Sequence, residues 1–296
     1  MRAPRALIPL LAVSGAAVVV VTAGAGAAIE QGDDPGPPAA DMAQDTRTTA
    51  VNVLNWNVCG DTDPRCGAKP ADVVKTVSAQ LKGNVVSGRR IKANAVFLQE
   101  ICLGQVKAIA AGTGTWSWQF APVLRADGKP AACANGQGQF GIALGSQHEI
   151  SGVEKVYLPA PRARRQPALC GNVASWSNLR LCTAQLSDEP NGEWRRRQTQ
   201  KITALAGAGR VVFGGDFNEQ PNKPALDVLY RSFGECDQTA GGARTGERTY
   251  QNAQGLAVAK TDYVFATKTA GIACEVPNQP VRSSDHRPIA AVVHFR

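Results

Sequence analysis

Apolar residues along this chain gather in short β-branched runs, and several of the runs end on a carboxylate or an amide. Strands are expected at 50–58 (AVNVLNWNV), 93–101 (ANAVFLQEI), 141–146 (GIALGS), 179–186 (LRLCTAQL), 210–217 (RVVFGGDF), 261–267 (TDYVFAT) and 289–295 (IAAVVHF). Several are too continuously apolar to be half-exposed, which makes them central strands covered on both faces. Helical periodicity appears between them at 70–83, 193–209 and 223–233. In the second of these, Trp194, Gln198, Ile202 and Leu205 fall on one face, with the arginines mostly outside it. Strands with helices between them and hairpins elsewhere predict a mixed α/β sandwich.

The first 50 residues have a different texture. Arg2 and Arg5 precede an uncharged apolar run at 6–21, and small residues follow, the order of a secretory signal with its cleavage site. A signal peptide is therefore expected at 1–28. Residues 29–49 are rich in Pro, Gly and Asp without periodicity and read as a flexible leader, followed by a single domain at 51–296. No basic stop-transfer cluster follows the apolar run, so no stable membrane anchor is expected.

Eight cysteines, all beyond the expected signal, fit an oxidising destination. Spacing favours Cys59–Cys66, around a short loop, and Cys170–Cys182, across a hairpin; Cys102–Cys133 and Cys236–Cys274 would complete a sequential pattern. There is no C-x-x-C pair and only three histidines, so neither a zinc site nor a thioredoxin-like dithiol is expected. The net charge of +8 favours anionic partners. It is concentrated at 162–165 (RARR) and 195–197 (RRR), each either a solvated face or a phosphate-steering patch.

The strand ends carry the candidate chemistry. Asn57 follows an apolar run, the next run ends on Glu100, another on Asp216 and Asn218, Asp262 opens a strand, and Asp285 and His286 precede the last one. Any one of these residues alone is explained by a turn or a helix cap. Together they supply oxygen ligands for a hard cation, amide donors for phosphoryl oxygens and a carboxylate to orient an imidazole. Alternation along a strand also turns Asp216 and Asn218 one way and Phe217 into the core.

The motifs NWNV, LQE, GGDFN, TDYVF and SDHRP, in that order from residue 51 to the C-terminus, resemble those of the endonuclease/exonuclease/phosphatase superfamily. That superfamily includes pancreatic-type deoxyribonucleases, abasic-site endonucleases, neutral sphingomyelinases and inositol polyphosphate phosphatases. GQFGIAL and RRRQTQKI also resemble family positions. The resemblance implies a four-layered α/β sandwich, two mixed β-sheets packed face to face with helices outside. It implies hydrolysis of a phosphate ester with Mg²⁺ or Mn²⁺, Ca²⁺ being a further candidate. Glu100 would then be the principal metal ligand, supported by Asn57 and Asp285. Asp216 would orient or deprotonate the attacking water, Asn218 would donate to the phosphate or hold that water, and Asp262 would pair with His286. Where many relatives carry a second histidine, this chain has Gln185, which donates a hydrogen bond but gives up no proton. Abasic-site endonucleases have an amide at the similar place, so Gln185 is assigned to substrate binding.

The expected protein is a secreted, monomeric, metal-dependent phosphoesterase whose anionic substrate is a phosphate ester, nucleic acid being favoured. A secreted sphingomyelinase or phosphomonoesterase is the alternative within the family. A non-catalytic secreted binder of nucleic acid or a cell surface is the alternative from another class. Trp116, Trp118 and Phe120 offer either base-stacking surface or ordinary sheet packing.

Overall fold

The computed structural model describes residues 49–62, 70–160, 164–190, 192–238 and 242–296. The expected signal peptide, nearly all of the leader, and Cys66, the expected partner of Cys59, lie outside the described residues.

Twelve strands form two six-stranded sheets. The first runs, edge to edge, Gly271–Glu275, Ile289–Phe295, Thr49–Asn57, Ala95–Cys102, Phe140–Ser146 and Ser117–Pro122. The second runs Phe233–Glu235, Asp262–Thr267, Val211–Asp216, Leu179–Gln185, Pro167–Val173 and Ser151–Tyr157. Each contains one parallel pair at its centre, Thr49–Asn57 with Ala95–Cys102 and Leu179–Gln185 with Val211–Asp216; the other neighbours are antiparallel. A parallel pair sends both C-terminal ends to the same edge. In the first sheet Asn57 is level with Gln99, and in the second Gln185 is level with Asp216, which faces Asp262 across the next ladder.

Burial follows from the period of two. Val51, Val53, Ala95, Phe97 and Leu144 from one sheet meet Leu169, Leu181, Val212, Val264 and Ala266 from the other, forming the core between the sheets. Alternate residues of the same strands point outward. Leu54, Trp56, Val96, Leu98 and Ile101 pack under the helices Pro70–Lys82 and Leu103–Thr113. On the other side, Phe213, Phe217, Tyr263 and Phe265 pack under the helix Gly192–Ala206 and the short helix Asp227–Ser232. The result is the four-layered mixed sandwich. Gly214 faces inward, where a Cβ would lie 3.0 Å from Phe97 and 2.8 Å from the Tyr263 carbonyl, so a side chain there would wedge the sheets apart.

All seven expected strands form. The helix expected over 223–233 instead breaks into a 3₁₀ turn at Pro224–Leu226, the helix Asp227–Ser232, and Phe233 in a strand. The helix Leu103–Thr113 was not expected, because its Ala- and Gly-rich sequence gives a weak apolar stripe. Its first turn is held by one local and one tertiary bond: Gln105 accepts from the Cys102 amide at 3.0 Å, a capping contact, and donates to the Gly60 carbonyl at 2.7 Å. Trp116, Trp118 and Phe120 pack against the cluster beneath the first pair of helices, the ordinary sheet role. Three expected disulfides are present, Cys102–Cys133, Cys170–Cys182 and Cys236–Cys274, the second between residues in register across a hairpin.

The arginine triplet departs from expectation. Arg195, not Trp194, occupies the buried face of its helix with Gln198 and Ile202. A buried arginine cannot steer phosphate, and Arg196 and Arg197 are both paired with Glu193.

Candidate active site

The inward-facing positions change character toward one end of the sandwich. On Thr49–Asn57 they run Val51, Val53, Asn55, Asn57; on Leu179–Gln185 they run Leu179, Leu181, Thr183, Gln185; on Val211–Asp216 they run Val212, Gly214, Asp216. A polar belt comes first. Gln99 donates to Asn55 Oδ1 at 3.1 Å and to Thr183 Oγ1 at 2.9 Å, which joins the two sheets.

Beyond the belt the strands end in three residues with left-handed backbone, Cys59 (φ 47°), Glu100 (φ 54°) and Asn218 (φ 48°). None is glycine, so each conformation is held by its surroundings. At Glu100 the ladder to Phe140–Ser146 slips between Leu98 and Ile101. This bulge lets two consecutive residues serve the interior: Gln99 bonds the belt, Glu100 bonds Asn57 and Gln185, and Ile101 returns to the helix side.

Amides bridge the acids. Asn57 Nδ2 donates to Glu100 Oε1 at 2.9 Å and to Asp216 Oδ2 at 3.0 Å, while its Oδ1 accepts from the Cys59 amide at 3.1 Å. Gln185 Nε2 donates to Glu100 Oε1 at 2.6 Å and more weakly to Asp216 Oδ2 at 3.4 Å. The Asn218 amide N–H donates to Asp216 Oδ1 at 3.0 Å, and its side chain donates to the Leu186 carbonyl at 2.9 Å. His286 stands opposite, with Nδ1 2.8 Å from Asp262 Oδ2 and Nε2 3.9 Å from both Asp216 Oδ2 and Asp285 Oδ1. Its backbone is pinned by Trp56 Nε1, which donates to the His286 carbonyl at 2.8 Å, and by Ser284 Oγ, which accepts from its amide at 2.9 Å.

Burial and crowding retain protons here. Burial pushes Asp216 up to about 7, the neighbouring Asp262 and Glu100 charges add to the rise, and His286 opposes it. For His286 burial pulls the other way, but Asp262, Asp216 and Asp285 more than reverse it and lift the imidazole to about 10. The ring is therefore an imidazolium at neutral pH, with Nε2 directed toward Asp216.

These groups open into a cleft of about 490 Å³. Asp61, Glu100, Asp188, Glu189, Asp216 and Asp285 line it, against Arg164 and His286 as cations. An anion entering so acidic a cleft needs a cation with it. The donors fit a hard divalent ion: they are carboxylate and amide oxygens, and Gln185 Oε1 is buried with no partner among the described residues. Asp216, Asp262 and His286 offer ligand atoms within 4.8 Å of one another. His286 and Asp262 already hold each other, however, so this trio is a proton-holding group, and Glu100 is among the carboxylates outside it that face the cleft.

All eight residues expected from the sequence meet at this end of the sandwich. Asn57 contributes its N–H groups to the two acids and so holds their carboxylates in place. Three further contributors were missed. Tyr250 lines the cleft with its ring edge-on to His286 at 5.2 Å. Thr183 and Gln99 form the belt. Thr183 shares the strand parity of Gln185, whereas Gln99 has the parity opposite to Glu100, and only the bulge lets both face the interior. Of the cluster at 162–165, Arg164 reaches the cleft, its guanidinium 5.5 Å from the Phe140 ring centre; Arg162 lies outside the described residues.

Comparison with known proteins gives the family and agrees with the fold. The model of the Endonuclease/Exonuclease/phosphatase family matches residues 54–286. An endonuclease/exonuclease/phosphatase from Bacteroides vulgatus is 17% identical with a TM-score of 0.58, covering 84% of this chain and 100% of its own. D. rerio TDP2 complexed with single strand DNA product is 17% identical with a TM-score of 0.59, covering 83% and 100%. The human Nocturnin catalytic domain with bound sulfate is 15% identical with a TM-score of 0.59, covering 83% and 95%. Among the curated proteins there is no match. With the family model spanning the sandwich from its first strand to His286, this chain belongs to the endonuclease/exonuclease/phosphatase family of metal-dependent phosphoesterases.

Proposed function

We propose that the protein is a secreted phosphodiesterase that uses Mg²⁺ or Mn²⁺ and acts on nucleic acid outside the cell. The observation that carries the chemistry is the Asp262–His286 pair at 2.8 Å, with the imidazole Nε2 turned toward Asp216 across the acidic cleft. Glu100 holds the metal, with Asp285 contributing from the other wall and Asn57 fixing the Glu100 carboxylate. The ion supplies Lewis-acid stabilisation of the charge that builds on the phosphoryl oxygens.

The chain's own groups do the rest. Asp216 accepts a proton from the attacking water at Oδ2, in a site where burial has already raised its basicity. His286 presents an Nε2–H to a phosphoryl oxygen, and Asp262 orients the ring and favours its charged form by accepting from Nδ1. Asn218 and Gln185 complete the set of amide donors around the phosphate. Nucleic acid is favoured over a lipid or a monoester because Arg164 stands at the rim of an otherwise acidic cleft, where a neighbouring phosphate would run. Bound DNA in the structural relative from D. rerio supports the same reading. Export is supported by the three disulfides and by the apolar start of the chain; among the described residues no helix is long and apolar enough to cross a membrane.

The test is hydrolysis of plasmid DNA, RNA, sphingomyelin and a simple phosphomonoester by the oxidised protein, with each metal or with chelator. Metal-dependent nicking of nucleic acid is expected. Turnover of sphingomyelin or the monoester alone would move the protein to another branch of the family.

A further inference from the structure

Arg195 is buried behind Ser187 and Glu189, which line the cleft, and is 6% exposed. Its Nε donates to Glu219 Oε2 at 2.9 Å, and its Nη1 donates to the Ser187 carbonyl at 3.2 Å and to the Glu189 carbonyl. Gln198, one turn along the same helix and fully buried, accepts from the Ser187 amide at 3.0 Å and donates to the Pro159 carbonyl at 2.7 Å. Two helical side chains thus grip the exit of the strand Leu179–Gln185.

That exit governs Asn218. The Leu186 amide donates to the Asp216 carbonyl at 2.9 Å, and the Leu186 carbonyl accepts from Asn218 Nδ2 at 2.9 Å. Ser187 follows Leu186 and Glu219 follows Asn218, so the guanidinium touches the residue after each partner of this bond. A buried ion pair contributes little net stability compared with an apolar pair of the same volume. What an apolar pair cannot do is hold three oxygens on two segments in a fixed plane, which the guanidinium fork does.

We infer that Arg195 is a positioning residue for the hydrolytic reaction: it fixes the Ser187–Glu189 exit against the turn at Asn218–Glu219 and so sets the direction in which Asn218 presents its amide. This rests on the proposed role of Asn218 at the phosphate or the attacking water. Arg195 itself does not line the cleft. It is set apart from its neighbours Arg196 and Arg197, whose pairs with Glu193 are exposed.

The experiment is a double-mutant cycle on the full, metal-loaded protein with Arg195→Gln, Asn218→Ala and the pair, read as kcat and KM on a small phosphodiester. Misplacing one group by about 1 Å can cost about 100-fold, so Arg195→Gln is expected to lower kcat about 10- to 100-fold with little change in KM. In the Asn218→Ala background the same change should cost no more than about twofold, because coupled sites are non-additive. Arg195→Lys should recover part of the loss through Glu219. In the metal-free protein, the Asn218 side-chain amide resonances should move in Arg195→Gln and stay in place in Arg196→Gln. Losses that multiply in the double variant, or unmoved Asn218 resonances, overturn the inference alone. A fully active Asn218→Ala overturns the role of Asn218 and the inference with it. If Arg195→Gln does not fold, Glu219→Gln carries the same cycle, with the same outcomes deciding.

Discussion

Two regions of the sandwich interior are built from the same strands and differ only in how far along those strands they lie. In the lower region Val51, Val53, Phe97, Leu181, Val212 and Val264 pack the sheets together with no polar atom to satisfy. In the upper region the same faces carry Asn57, Glu100, Gln185, Asp216, Asp262 and His286, nearly all of them as buried as the valines. The lesson is that the candidate active site is the far end of the hydrophobic core. Its acids inherit the core's rigidity and its dryness; dryness raises Asp216 beyond its ordinary range, whereas His286 is raised against its burial by the surrounding Asp262, Asp216 and Asp285 charges. Between the regions, Asn55, Gln99 and Thr183 form a polar belt in which Gln99 ties the two sheets together.

Breaking the upper region should remove turnover and leave the fold. His286→Ala is expected to lower kcat by about 10²- to 10³-fold, the range for losing a donor that stabilises transition-state charge, with the melting temperature little changed. The lower region should behave oppositely. Phe97→Ala empties a fully buried site between the sheets and should cost about 3–5 kcal/mol, read by urea unfolding, while kcat per folded molecule stays near wild type.

A smaller effect sharpens the link between dryness and charge. Asp262→Asn removes the largest influence raising His286, so the imidazole, followed by NMR in chelator, should titrate well below about 10. The sign for stability follows. A raised pKa stabilises the fold fully below the ordinary histidine value of about 6.5, and that contribution is lost as pH rises through about 10. Metal-free wild type should therefore lose stability across that window, and Asp262→Asn should lose less. At the belt, Thr183→Val strands the buried Gln99 N–H and should cost about 1–3 kcal/mol with a minor change in kcat. The smallest change is expected from Gln185→His, which restores a titratable group and should alter the rate only on substrates with poor leaving groups. An unchanged rate would show that position 185 does not meet the leaving group.

Much of this was legible in the sequence because strand parity is a local property. VVFGGDFN fixes that Asp216 faces inward once Phe213 and Phe217 are known to face out, and the family motifs add which ends converge. What was not legible depends on contacts between distant segments. The bulge at Glu100 arises in the ladder to Phe140–Ser146 and leaves no mark on LQE itself. Arg195 was misplaced because a charged residue on a helix is ordinarily turned to water. Its burial is explained only by Glu219 and two carbonyls that the chain supplies elsewhere. The helix Leu103–Thr113 escaped for the same reason, since its first turn is secured by Gly60.

The central claim is that the polar end of the core is a metal-dependent phosphoesterase centre with Glu100 as its metal-holding acid. The most direct measurement is hydrolysis of a small phosphodiester by wild type and Glu100→Ala across a titration of Mg²⁺ and Mn²⁺, with metal binding followed calorimetrically in the same samples. The account predicts turnover that saturates with metal in the wild type, and loss of both turnover and tight metal binding in the variant. Metal-dependent hydrolysis persisting in Glu100→Ala at the wild-type rate would contradict it.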